Sequence, residues 1–127
     1  MSAELAKVWT WPLGIKPYAE FGGGNKGLDY RLGDDLSRKM AVRSTNAGEV
    51  VYAGTGIGGF ERLVIVKHNA SLLSAYSFDG NLRVAEKQVI KAGSELADIK
   101  NRGRSKQSLR FELRKDGQPI NPRQFLR

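Results

Sequence analysis

The clearest pattern in the chain lies in residues 108–114. Leu109, Phe111 and Leu113 alternate there with Ser108, Arg110, Glu112 and Arg114. A period of two puts the apolar trio on one face of a β-strand and the polar quartet on the other. The polar face is either solvent or the floor of a groove, and periodicity leaves both open. Four further runs have strand length. Residues 50–53 are apolar between Gly48 and Gly54, and residues 62–67 form a continuous apolar run with charged ends. Residues 72–78 mix Ala, Tyr and Phe with Ser, and residues 95–99 are short and alternating. Gly, Asn or Asp punctuates these runs, as turn residues do. No segment sustains a helical period. One helical turn is predicted over residues 122–126, with Asn121 as its cap and Pro122 at its first position. Short strands at this spacing predict a mainly β protein, a sandwich or barrel with at most short helices.

The remaining segments are punctuation. Gly22-Gly23-Gly24 has no following GKS or GKT and so fails as a phosphate loop. Gly54-Thr55-Gly56-Ile57-Gly58-Gly59 lies between two predicted strands and reads as a hairpin loop. Trp9 and Trp11 are expected to pack against a sheet edge, with carbohydrate stacking as the alternative. Residues 1–8 read as a flexible leader and residues 9–127 as one domain without internal repeat or linker.

Composition narrows the chemistry. A chain of 127 residues suits one domain with one core. No apolar run approaches the roughly 20 residues of a membrane span, and the first residues have no signal-peptide pattern. There is no Cys, which removes disulfides, zinc ribbons and thiol catalysis. His68 is the single histidine, so a zinc site with two His ligands cannot be built. Lys and Arg number 21 against 13 Asp and Glu, a formal net charge of +8. That surplus points to an anionic partner or to solubility alone.

Eight strings in order then carry a resemblance. They are Trp11-Pro12, Gly24-Asn25-Lys26-Gly27-Leu28-Asp29-Tyr30, Ala47-Gly48-Glu49-Val50-Val51-Tyr52-Ala53-Gly54 and Leu63-Val64-Ile65-Val66-Lys67-His68-Asn69. Ser74-Ala75-Tyr76-Ser77-Phe78, Val89-Ile90-Lys91-Ala92-Gly93, Leu109-Arg110-Phe111-Glu112-Leu113-Arg114 and Pro119-Ile120-Asn121-Pro122 complete the series. Over residues 9–126 the series resembles the LytM domain, the lysostaphin-like zinc peptidase family that cuts peptidoglycan cross-bridges. The resemblance implies an antiparallel β-sheet sandwich with a groove over its main sheet. In that family a His two residues before a Gly, an Asp two after it, and the second His of a His-Leu-His strand hold zinc. The first His of that strand and a His in a Tyr-x-His string handle the activated water and the oxyanion. Carried over, the first ligand position is Asn25 and the aspartate is Asp29. The Tyr-x-His position is Phe78, and the His-Leu-His strand is Ser108-Leu109-Arg110. One carboxylate beside a permanently charged arginine cannot hold zinc. No catalytic residue, metal or other cofactor is therefore expected, and His68 is expected to be structural.

This combination resembles the degenerate LytM domains of murein hydrolase activators of the NlpD and EnvC type. The resemblance implies a periplasmic protein whose signal or lipid anchor, for example to the outer membrane, lies elsewhere, this chain being its C-terminal domain. It also implies a protein partner, an N-acetylmuramoyl-L-alanine amidase. The expected partner-binding groove is lined by Asn25, Asp29, Phe78, Ser108, Arg110 and Glu112, with a basic rim of Lys100, Arg102, Arg104 and Lys106. Phe78 is expected to be an apolar anchor or else a plug, and Arg110 is expected to pair with Asp29. Two functions stay open: binding the amidase regulatory segment, or binding peptidoglycan through its stem-peptide carboxylates. Nucleic-acid binding would rest on charge alone and is not expected.

Overall fold

The computed structural model describes residues 5–103 and 106–126. The chain runs through β1 (Leu28–Tyr30), β2 (Lys39–Arg43), β3 (Gly48–Thr55), β4 (Arg62–Lys67), β5 (Leu72–Phe78) and β6 (Gly80–Leu82). It continues through β7 (Val89–Ile90), β8 (Glu95–Lys100), β9 (Leu109–Lys115) and β10 (Gln118–Ile120) to a 3-10 turn at Pro122–Gln124. The main sheet has the order β1-β9-β5-β4-β3-β7, with β10 also on β9, and a smaller sheet has the order β2-β8-β6. Every pairing is antiparallel. This is the mainly β architecture that the sequence pattern predicts. No helix of the described residues is long and apolar enough to cross a membrane.

Strand β9 organises the main sheet. It pairs β5 from Phe78↔Leu109 to Leu72↔Lys115, and its other edge takes β1 and then β10. Its alternation sorts as expected: Leu109, Phe111 and Leu113 are fully buried, while Arg110, Glu112 and Arg114 are half-buried. On the core side they join Val64 and Val66 of β4, Tyr76 and Phe78 of β5, and Val42, Leu96 and Ile99 of the smaller sheet. One core thus fills the space between two sheets. A register shift between Val50 and Tyr52 on β3 sets the exposed Val51 outside the ladder, so that Tyr52 stands opposite Ile65.

Two local readings meet their side chains here. The Asn121 side chain caps the last turn, accepting from the Arg123 amide at 3.0 Å. The leader is not free at Ala6, whose amide donates to Asn46 Oδ1 (2.8 Å) and whose carbonyl accepts from Asn46 Nδ2 (3.1 Å). Asn46 is fully buried, so this pair of bonds ties the start of the chain to the strand entering β3. Residues 1–4 lie outside the described residues.

Candidate functional site

Strands β1 and β9 bring together Asp29 and Arg110, the two positions that the resemblance carries over as metal ligands. Their register sets Asp29 directly opposite Arg110, and residues so paired share a face of the sheet. Arg110 Nε donates to Asp29 Oδ1 at 3.1 Å, and Asn25 Nδ2 donates to Asp29 Oδ2 at 3.1 Å. The Asp29 side chain is 8% exposed and that of Arg110 is 37% exposed. The carboxylate therefore lies beneath the guanidinium, with both oxygens bonded. Gly27 makes the approach of this turn to β9 possible, because a Cβ there would collide with the Phe111 carbonyl.

Beside this cluster the outer face of the main sheet is amphipathic. A concavity of about 280 Å³ is floored by Leu63 and Ile65 of β4 and by Leu73, Ala75 and Ser77 of β5. Ile57, at the tip of the glycine-rich β3–β4 hairpin, overhangs it, and Glu112 and Arg114 form its charged wall. Arg114 donates to Glu112 through Nε (3.0 Å) and Nη2 (2.8 Å), and to the Gly117 carbonyl through Nη1 (3.2 Å). Ser77 is the cross-strand partner of Arg110, so the Asp29–Arg110 pair borders one end of the concavity.

Of the six residues expected to line the groove, two are fully buried. Phe78 is fully buried and belongs to the hydrophobic core. It shares the face of Tyr76 and Leu72 by strand alternation, and so plugs the fold from inside instead of presenting an anchor. Ser108 is also fully buried, and its hydroxyl has no partner in the described structure. Arg110 and Glu112 face the groove, Asn25 sits half-buried at its edge, and Asp29 lies underneath. Sequence reasoning missed the apolar floor. Its signal was present in the odd positions of β4 and β5, Leu63, Ile65, Leu73 and Ala75, which alternate with core residues.

The basic rim divides as well. Lys100 and Lys106 are exposed, and Arg104 lies outside the described residues. Arg102 is committed to its own fold. It pairs with Asp79 at 3.2 Å, donates to the Gln107 and Gly59 carbonyls at 3.1 Å each, and stacks 4.7 Å over the Phe60 ring. With its side chain 20% exposed it ties three loops at the groove end together and is not a free steering charge. The tryptophans divide too: Trp9 packs on His68 and Phe125, and Arg123 covers the Trp11 ring at 4.7 Å beside a cavity of about 590 Å³.

The zinc site implied by the LytM resemblance does not fit these residues. The donor set is one carboxylate, one carboxamide and one guanidinium, and the guanidinium occupies the carboxylate. Among the described residues no group of three or more His, Cys, Asp and Glu is placed to hold a metal ion. His68 is used elsewhere. Its Nδ1 lies 2.7 Å from the Ala47 carbonyl and its Nε2 lies 2.7 Å from Ser74 Oγ. A carbonyl can only accept, so Nδ1 carries the proton and Nε2 accepts from Ser74. Ser74 Oγ in turn accepts from the Tyr76 hydroxyl at 2.7 Å, and that hydroxyl accepts from the Thr45 amide at 3.0 Å. The chain of bonds is complete with a neutral imidazole.

Burial pushes the His68 pKa below its usual 6.5, opposed by the bond to Ala47. Between the lowered folded value and 6.5 the unfolded chain binds the extra proton, so stability rises with pH there. The contribution is present above about pH 6.5 and is lost as pH falls toward the folded value, at about 1.4 kcal/mol per unit of lowering. The difference in unfolding free energy between wild type and His68→Gln, measured from pH 7.5 to 5, is expected to shrink as pH falls. A constant difference would remove this role.

Fold and site together define a two-sheet domain of the peptidase type in which an arginine–carboxylate pair stands at the positions that the resemblance assigns to metal ligands. Residues 23–122 match peptidase family M23, and the chain belongs to that family. It is 40% identical over 122 residues to the murein hydrolase activator NlpD of Escherichia coli, covering 94% of this chain and 31% of that protein. It is 38% identical over 122 residues to the outer membrane antigenic lipoprotein B of Haemophilus influenzae, covering 94% of this chain and 29% of that protein. The chain thus spans less than a third of these relatives. Among solved structures, a putative peptidase M23 from Pseudomonas aeruginosa is similar with a TM-score of 0.78 at 17% identity, over 95% of this chain and 51% of that one. Lysostaphin from Staphylococcus simulans is similar with a TM-score of 0.67 at 18% identity, over 91% of this chain and 49% of that one. At those identities the likeness is one of fold.

Proposed function

We propose that this domain is a non-catalytic activator of N-acetylmuramoyl-L-alanine amidases in the periplasm, acting in cell separation by binding the amidase regulatory segment in its groove. The observation that carries the reading is the guanidinium standing on Asp29 at the old metal position, next to an apolar floor that water leaves unsatisfied. The names of two relatives, a murein hydrolase activator and an outer membrane lipoprotein, agree with it. A strip of Leu63, Ile65, Leu73 and Ala75 beside a charged wall matches an amphipathic helix better than an oligosaccharide, whose hydroxyls would find few partners there. Holding such a helix away from an amidase active site favours the open enzyme only as far as the groove prefers that state.

The test is release of dye from labelled peptidoglycan by an N-acetylmuramoyl-L-alanine amidase of the same organism, with and without the domain. The domain alone is expected to release none, with or without added zinc. Adding it to its cognate amidase is expected to raise release about tenfold, a shift of about 1.4 kcal/mol in the open population. Leu73→Asp, on the outer face, is expected to abolish the stimulation with little change in stability. Chelator-sensitive release by the domain alone would overturn the reading. Binding to isolated cell walls without stimulation of any amidase would replace it with a peptidoglycan-binding role.

A further inference from the structure

Three arginines stand around the groove, and they differ in what their donors do. Arg102 uses Nε, Nη1 and Nη2 on Asp79, Gln107 and Gly59. Arg114 uses all three nitrogens on Glu112 and Gly117. Arg110 uses Nε alone, on Asp29, and its Nη nitrogens have no partner among the described residues. A guanidinium has five N–H donors in one plane, and four of those of Arg110 have no partner among the described residues. The Nε bond to a nearly buried carboxylate sets that plane, which long exposed arginines otherwise lose to rotamer freedom.

We infer that Arg110 is a preorganised receptor for one carboxylate side chain of the protein segment that occupies the groove. The inference rests on the function proposed above and deepens it by naming the group recognised. Its chemistry follows from the fork: two parallel N–H donors match the two oxygens of a carboxylate. Its macromolecular source follows from the neighbourhood. Ser77, the cross-strand partner of Arg110, lines the same concavity as Leu63, Ile65 and Leu73, so a ligand on Arg110 must also cover apolar floor. An acidic residue on the edge of an amphipathic helix does both. A stem peptide of the cell wall supplies the carboxylate and leaves the floor wet.

The nearby Asp29 charge does not forbid a second carboxylate. Both its oxygens are already bonded, to Arg110 and to Asn25, and the chain carries a net charge of +8. The arrangement is an arginine bridging two carboxylates, one internal and one supplied by the partner. It also gives the groove a polarity: the acidic residue fixes which end of the helix lies at the β1 side.

The experiment is a titration of the domain with the amidase it stimulates, using wild type, Arg110→Lys and Arg110→Gln. Arg110→Lys keeps the charge and loses the planar fork, and is expected to weaken binding at least fivefold. Arg110→Gln is expected to weaken it at least twentyfold. Unfolding midpoints are recorded for each, and Arg110→Lys, which can still pair with Asp29, separates a binding loss from a folding loss. Replacing each Asp and Glu of the amidase regulatory segment by its amide, one at a time, should reveal one position whose effect disappears in the Arg110→Gln background. Unchanged affinity in Arg110→Lys and Arg110→Gln, or no coupled acidic position, overturns the inference. If Leu73→Asp still abolishes binding in that case, the proposed function stands without it. Weakened binding of a purified muropeptide with unchanged amidase binding assigns the carboxylate to the cell wall and overturns the protein source. Failure of wild type to bind any amidase removes both readings together.

Discussion

Phe78→Ala is expected to cost about 3–5 kcal/mol of folding stability, the range for deleting a fully buried aromatic ring. Phe78 is 0% exposed and ends β5, where it pairs with Leu109 of β9 on one side and Arg62 of β4 on the other. Both flanking strands are hydrogen-bonded through their lengths, so the surroundings cannot collapse into the space a methyl group leaves. At the same point active relatives, by the family resemblance, place a histidine. Here phenylalanine belongs to the core, and a histidine in its place would bury an imidazole in an apolar site. Denaturant unfolding is the measurement: the midpoint should fall with the slope unchanged, which marks lost stability without a changed unfolded state. A loss below about 1 kcal/mol accompanied by weaker partner binding would instead return Phe78 to the interface.

The parts of this fold that sequence makes legible are those whose pattern is long enough to count. β9 reads correctly because four polar and three apolar positions alternate without exception. β4 reads correctly, at Arg62–Lys67, because charged ends bound an apolar run. β1 has three residues, all buried, one of them Asp29, so no alternation betrays it. β7 has two residues, and β6 and β10 have three each, below any usable period. These short strands exist because longer neighbours offer them an edge, which is tertiary information. At the site, the Asp29–Arg110 pairing was legible because two known positions had to converge. Phe78 went astray for a different reason. Residue identity at a position carried over from the family pattern was weighed above strand parity, although Tyr76 on the same strand already marked the face of Phe78. Ser108 has the parity of Arg110 and Glu112, and its burial depends on neighbours that parity does not reveal. For Arg102 no parity helps: whether a loop arginine meets solvent or a carboxylate and two backbone carbonyls depends on loops brought together by the fold.

The Asp29–Arg110 pair should show an asymmetric double-mutant cycle. Arg110→Met leaves a carboxylate that is 8% exposed with one neutral donor, Asn25. A buried group stripped of its partner bears its desolvation cost, about 1–3 kcal/mol. Asp29→Asn leaves a guanidinium that is 37% exposed and can turn to water. Screening at that exposure holds the cost under about 1 kcal/mol. The double variant strands neither charge and keeps the methionine chain over the carboxamide, so it should be more stable than Arg110→Met alone. Non-additivity of this sign is the signature of a pair in which one member is buried for the other. Unfolding of the four proteins in denaturant at neutral pH gives the coupling directly. Adding salt should change it little, because the carboxylate is out of reach of most of the ionic atmosphere. Additive single effects, or a larger loss for Asp29→Asn than for Arg110→Met, would show that Asp29 is held by Asn25 and the β1 backbone, and that Arg110 merely rests on it.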